Sequence, residues 1–233
     1  MLGSFAAPDF WLAVLQIVMI DVVLSGDNAI VIALACRNLA PAQRRLGILW
    51  GVAGAIGLRI VLTFFAVGLL GAPWLKLAGG VLLLWIGVKL LLPEGEDGPD
   101  IKPADHLLGA VRTIIVADFV MSLDNVVGVA AAAKEDVALL VFGLTVSIPL
   151  IVWASQLLLT VMERFPALVV LGAGLLGWVA GEMMAGDPAL ADWVSGHSPQ
   201  LPTIAAAAGA LGVVVVGQWL ARRSARARDT TIV

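Results

Sequence analysis

Two stretches decide how this chain folds: DVVLSGDNAIVIALAC, residues 21–36, and DFVMSLDNVVGVAAAA, residues 118–133. Laid over one another by a shift of 97 residues, they agree at seven of sixteen positions. The agreement includes both aspartates, the serine and the asparagine of a shared D-x-V-x-S-x-D-N. Apolar matches arise easily between membrane segments; four shared polar positions inside apolar runs do not. Working outward, the same shift pairs Leu62 and Thr63 with Leu159 and Thr160, and Arg59 with Gln156. A shift of 93 pairs Trp85 with Trp178 and Lys89 with Glu182, which implies a short deletion between the fifth and sixth runs. The repeated unit is therefore predicted to hold three helices.

The composition around these stretches excludes a water-soluble domain. Of 233 residues, 61% are hydrophobic and only 13% charged, with 25 glycines besides. A core this small cannot enclose so many apolar side chains, so the excess must face lipid. Apolar runs of bilayer-crossing length predict spans at about 11–35, 46–70, 73–92, 108–133, 137–161, 166–185 and 202–221. The first run carries two aspartates and no basic flank, so it reads as a mature span and not a leader. The fold class is then an all-α membrane protein of seven transmembrane helices, two three-helix repeats plus a seventh helix. An odd number of spans per repeat turns the second copy over, giving the inverted halves of transporter architecture. The single membrane domain, 1–233, divides into repeat 1 (10–92), an acidic loop (93–107), repeat 2 (108–185), helix 7 (202–221) and a basic tail (222–233).

Lysine and arginine collect on one side, in Arg37, Arg44, Arg45, Arg112, Arg164 and the tail arginines among others, against Lys76 and Lys134 on the other. The positive-inside rule places the N-terminus outside and the acidic loop and the tail in the cytoplasm, in a multi-pass protein of the cell membrane. Tryptophans 11, 50, 74, 193 and 219 fall at span ends, at headgroup level. Glycine pairs at 47 and 51, and at 177 and 181, have the spacing that lets helices approach closely. The lone cysteine, Cys36, excludes a disulfide framework within the chain and a Cys-based zinc cluster. A net charge of only −3 gives no reason to expect nucleic acid as a partner.

Asp21, Asp27, Asp118 and Asp124 each lie near a span centre. An aspartate there costs roughly 2.5 to 3.5 kcal/mol on insertion scales, so four demand compensation. Arg59, also mid-span, is expected to neutralise one of them. Helical geometry puts Asp21, Ser25 and Asn28 on one stripe and Asp118, Ser122 and Asn125 on another. Asp27 and Asp124 point about 100° away in a regular helix. Opening of the helix near Ser25 and Gly26 would turn both carboxylates of the first copy to one cavity; Leu123 replaces that glycine in the second. Carboxylate, amide and hydroxyl oxygens, without a nearby thiol or imidazole, suit magnesium, calcium or manganese(II). His106 and His197 are expected in loops away from these residues. Lys89 and Glu182 read as side chains snorkelling near opposite faces, or as gate charges. Thr63 and Thr160 are expected to bond their own helices, and Pro149 to kink the fifth span.

The paired S-G-D-N and S-L-D-N segments, each with a second aspartate six residues before its own, and the N-L-A-P-A-Q-R-R stretch after the first span, resemble the TerC family of integral membrane proteins, in its YjbE-like bacterial branch. The resemblance covers spans one to six. It implies a metal-ion transporter concerned with manganese(II) efflux, distantly similar to the LysE superfamily of exporters. It places the acidic transport residues on Asp21, Asp27, Asp118 and Asp124, with Asn28 and Asn125 beside them. The tellurite role behind the family's name does not suit an acidic site, which would repel an oxyanion. The expectation is thus a non-enzymatic exporter with no tightly bound cofactor, manganese(II) as cargo, proton exchange as a coupling, and the lipid bilayer as surroundings, with a homo-oligomer left open. Its rivals are calcium or magnesium transport, delivery of manganese to exported enzymes, an intramembrane aspartyl protease, and a scaffold without flux. The protease rival lacks the expected glycine at Leu24 and at Met121.

Overall fold

In the computed structural model the helices are α1 (Pro8–Leu24), α2 (Gly26–Cys36), α3 (Pro41–Leu70), α4 (Leu75–Leu91), α5 (Pro103–Ala133), α6 (Val137–Arg164), α7 (Ala167–Ala185), α8 (Ala191–His197) and α9 (Leu201–Asp229). The described residues are 8–24, 26–70, 72–92, 103–133 and 137–229, and they contain no strand. Prolines set several of these bounds, because the N–H they lack is one that a first helical turn leaves unpaired anyway. Pro41 opens α3 and Pro103 opens α5, each five residues ahead of its expected span. His106 therefore lies in the first turns of α5 and not in a loop, and His197 ends α8. The arginine-rich segment expected as a tail continues α9 to Asp229, since alanine and arginine are strong helix formers. Pro149 lies within α6, which runs on across it.

Among the described residues, four stretches are long and apolar enough to cross a membrane: Pro41–Thr63, Val141–Arg164, Ala167–Ala185 and Leu201–Ser224. The other apolar runs lie on α1 with α2, on the 17-residue α4, and on α5, whose apolar course is interrupted by Arg112 and Asp118. Large apolar side chains such as Trp50, Phe65, Trp85, Trp153 and Leu211 stand exposed, as expected of a lipid-facing surface.

The packing crosses between the two segments that carry the repeated motif. α1 and α2 lie against α6, α3 lies against α5, and α4 lies against α7. The paired acidic segments also meet directly, through α1 and α2 on α5. α9 packs on α7 and α4, away from them. The α7–α9 contact is backbone on backbone: a Cβ on Gly181 would collide with the Ala205 carbonyl, and one on Gly177 with that of Gly209. At another point Arg44 donates to the carbonyls of Leu39 and Arg37, each at 2.9 Å, and pairs with Glu163 at the end of α6. It thereby fastens the exit of α2 to α6.

The turn before α4 is held by Asp187, whose side chain is fully buried. Its carboxylate accepts the backbone N–H groups of Trp74 at 2.9 Å, Leu77 at 3.0 Å and Ala189 at 2.7 Å. One acid thus caps the start of α4 and the 3-10 turn Pro188–Leu190 together. Burial alone would raise its pKa, but these N–H donors outweigh burial and hold it below the ordinary carboxylate value.

Two stability tests follow from these contacts. Gly181→Ala should lower the thermal stability of the detergent-solubilised protein by about 1–3 kcal/mol through overpacking, whereas Gly57→Ala, whose Cβ meets nothing within 4 Å, should not. Asp187→Asn should be less stable than wild type at neutral pH by about 1 kcal/mol, the usual worth of a lost cap. Because the folded pKa is depressed, that advantage is present above about pH 4 and disappears as pH falls through the folded value. Unfolding midpoints of the two proteins should therefore converge in acid.

Candidate functional site

The helical period decides which side chains meet. On α1, Val14, Ile17, Val18 and Asp21 are buried, while Trp11, Leu12, Leu15 and Met19 face outward. On α3 the buried stripe is Ile48, Val52, Ala55, Ile56, Arg59 and Leu62. On α5 it includes Ala110, Ile114, Ala117, Asp118, Met121 and Ser122. Each charged residue occupies a position that the apolar pattern of its helix already turns inward. The charges are therefore placed by the same packing that builds the core.

They converge on one guanidinium. Arg59, 2% exposed, forms ion pairs with Asp21, which is fully buried, and with Asp118, 6% exposed, at 2.7 Å for the latter. Its Nε donates to Ser122 Oγ at 3.1 Å, and Ser122 Oγ in turn donates to Asp118 Oδ2 at 3.1 Å. Asn28 Nδ2 donates to Asp118 Oδ1 at 2.9 Å. The single hydroxyl proton of Ser147 on α6 lies within reach of two acceptors, Asp21 Oδ2 and the Leu144 carbonyl at 2.8 Å. Its forked donors reach two carboxylates, one from α1 and one from α5, although its single charge offsets only one. Buried charges survive in such surroundings only when paired and hydrogen-bonded, and each of these acids has both kinds of partner.

Asp27 lies in the first turn of α2, half-buried, and its Oδ1 accepts the N–H of Asn28 at 2.9 Å. Within a regular helix that N–H would be directed to the carbonyl four residues back; a side-chain acceptor is what a first turn uses. Ser25, where the helix was expected to open, lies outside the described residues, as do the side chains of Asp124 and Asn125. The α5 backbone is helical through 122–125. Lys89 and Glu182 stand exposed and apart from the cluster, Lys89 with its ammonium 5.2 Å from the Trp85 ring centroid. Thr63 and Thr160 bond the carbonyls of Arg59 and Gln156 on their own helices, as expected.

Ser147 is the site residue that sequence reasoning missed. Its signal was present: a hydroxyl two residues before a proline in an apolar span. Proline removes an N–H and leaves the carbonyl four residues before it without a helical donor, which loosens the local requirement for regular bonding.

One acceptor is left over. Asn28 is 4% exposed, and its Oδ1 has no hydrogen-bond partner among the described residues. A cavity of about 10 Å³ adjoins it, lined by Asn28, Arg59 and Asp118 together with Ile32, Ile56 and Ile151, among others. That is about the room of a single water. A larger cavity of about 230 Å³ opens where α2 and α4 end and α5 begins, lined by Asn38, Lys89, His106 and Thr113 among apolar neighbours. The described residues contain no cluster of three or more His, Cys, Asp or Glu side chains arranged to hold a metal.

The model of the integral membrane protein TerC family matches residues 6–227. The chain belongs to the TerC family. Among curated relatives it is 44% identical over 189 residues to the membrane protein YjbE of Bacillus subtilis (strain 168), covering 81% of this chain and 86% of that one. It is 25% identical over 186 residues to the inner membrane protein YgdQ of Escherichia coli (strain K12), covering 72% and 78%. A match at 24% to YceF of Bacillus subtilis (strain 168) covers 76% and 72%. No solved structure matches significantly. Family and apolar helices together make this a multi-pass integral membrane protein.

Ser147→Ala should lower stability by about 1–3 kcal/mol, because it leaves a buried carboxylate oxygen short of a donor. Ser155→Ala should change little, since that hydroxyl bonds its own helix at the Ile151 carbonyl. Denaturation midpoints of the two variants, side by side, check the assignment.

Proposed function

We propose that this TerC-family chain carries a divalent cation across the membrane, exporting manganese(II) by alternating access between two inverted three-helix halves. The observation that carries the reading is the meeting of Asp21 and Asp118. These are equivalent positions of the repeated motif, and they converge in one buried polar cluster beside an amide oxygen that has no partner among the described residues. Ionisable groups deep in a membrane protein mark ion pathways by default. A site at the junction of two repeats is where inverted-repeat transporters hold their cargo.

The packing supports the repeat. Exchanging the halves turns the contact of α1 and α2 with α6 into that of α5 with α3, and leaves α4 on α7 and α1 and α2 on α5 as themselves. In this reading seven spans cross the bilayer, α1 with α2 forming the first and α9 the seventh. The basic residues face the cytoplasm.

The donors are all oxygen, which favours hard divalent ions over zinc or copper(I). Among those ions manganese is chosen on the family resemblance, and proton exchange balances the carboxylates left in excess. Asp27 and Asp124 extend the site along the path of the ion.

Cells producing the wild-type protein should hold less manganese and grow at higher external manganese than cells producing Asp27→Asn or Asp124→Asn, with equal amounts of each protein in the membrane. Equal metal content at equal protein level would end the exporter reading. A metal flux indifferent to collapse of the proton gradient in vesicles would remove the exchange.

A further inference from the structure

The geometry points to Arg59 as a tethered competitor for the cation: a side chain that occupies the binding place when the site is empty and must leave before a divalent ion can enter. The inference rests on the cation-transport reading above and adds to it the element that sets affinity and allows the empty carrier to turn over.

The first support is steric. The guanidinium lies on Asp21 and Asp118 at once and also donates to Ser122. A cation coordinated by those carboxylates needs the same lone pairs. The adjoining cavity, about 10 Å³, admits roughly one water and not a coordinated ion beside the arginine. Entry of the ion and departure of the guanidinium are therefore one event.

The second is charge. Two carboxylates and one guanidinium leave a net charge of −1 in a buried place, whereas two carboxylates and a divalent ion leave none. A monovalent ion in the same exchange gains nothing over the arginine already present. The exchange thus favours double charge before any size selection operates.

The third is the ligand set left behind. With the guanidinium gone, Ser122 and Ser147 hydroxyls stay on the two acids, and Asn28 Oδ1, buried and without a partner among the described residues, lines the same space. An acceptor with no donor is an unfavourable element of the arginine-bound state; a cation would satisfy it.

The fourth is asymmetry. Arg59 has as its repeat counterpart Gln156, which is uncharged and exposed. A single cation spans both motif acids, so the device is one per site and not one per half. An arginine has no accessible neutral form, so it offsets one of the two carboxylate charges of the empty site without drawing a proton. A carrier equipped this way can reorient empty, and binding stays weak enough for release, as conduction requires of any transport site.

The test uses the full chain reconstituted in lipid nanodiscs and vesicles, with manganese(II) chloride alone as probe at pH 8. Arg59→Gln should bind manganese about tenfold more tightly than wild type. It should lose most net flux while keeping manganese-for-manganese exchange, because its empty form cannot return. Arg59→Lys keeps the charge but lacks the fork, and should bind about threefold more tightly with net flux reduced. Size-exclusion profiles establish which variants fold, and the lysine variant decides the matter if the glutamine variant does not. Unchanged or weaker affinity in the folded variants, with wild type binding normally, overturns the competitor. Absence of both manganese binding and manganese flux in wild type overturns the transport reading itself.

Discussion

The guanidinium of Arg59 between the carboxylates of Asp21 and Asp118 is the contact on which the interior depends. It joins α3 to α1 and α5, with Ser147 adding α6 and Asn28 adding α2. Five helical segments thereby close on one polar knot in otherwise apolar packing. Outside water, a charge cannot be stabilised by solvent, so removing any member leaves the others exposed to an apolar medium. The knot therefore fixes the register of these helices more sharply than their apolar stripes, which tolerate sliding by similar side chains. It also means that the residues proposed to hold the cation are ones on which the packing depends.

The molecule divides into two kinds of contact. α7 and α9 meet through small residues, at Gly177, Gly181 and Gly209, with backbone lying on backbone. α1, α2, α3, α5 and α6 meet through branched apolar chains and the polar cluster. Close small-residue packing leaves no soft layer for relative movement, whereas a cluster of exchangeable hydrogen bonds offers alternative pairings.

Much of this was legible in the sequence because membrane folding leaves few options. Apolar run length announced the helices, and aspartates in such runs announced where the interior would be polar. That Asp21 and Asp118 share spacing with the serines and asparagines around them could be read from the sequence alone. What was not legible required distances between segments far apart in the chain. That Arg59 would reach two acids and not one depends on α3 packing against α5 with α1 close by, and no spacing within a helix reports that. Ser147 escaped for the same reason, as a small hydroxyl on a span whose partner was unknown. Helix ends were misplaced where proline could start a helix as well as break one, at Pro41 and Pro103. Asp187 was passed over because an acid near a span end looks solvated until its backbone donors are seen.

Those donors at Asp187 have an evolutionary corollary. The amides of Trp74, which precedes α4, and of Leu77, in its first turn, belong to the main chain, so the tether is blind to which side chains stand there. The tether itself asks only for an N–H at these two positions, which excludes proline. At position 74, where the backbone sits at a φ of 70°, drift toward glycine or asparagine would even relieve strain. A faithful acid on one side and an interchangeable turn on the other is the pattern of divergence this tether permits.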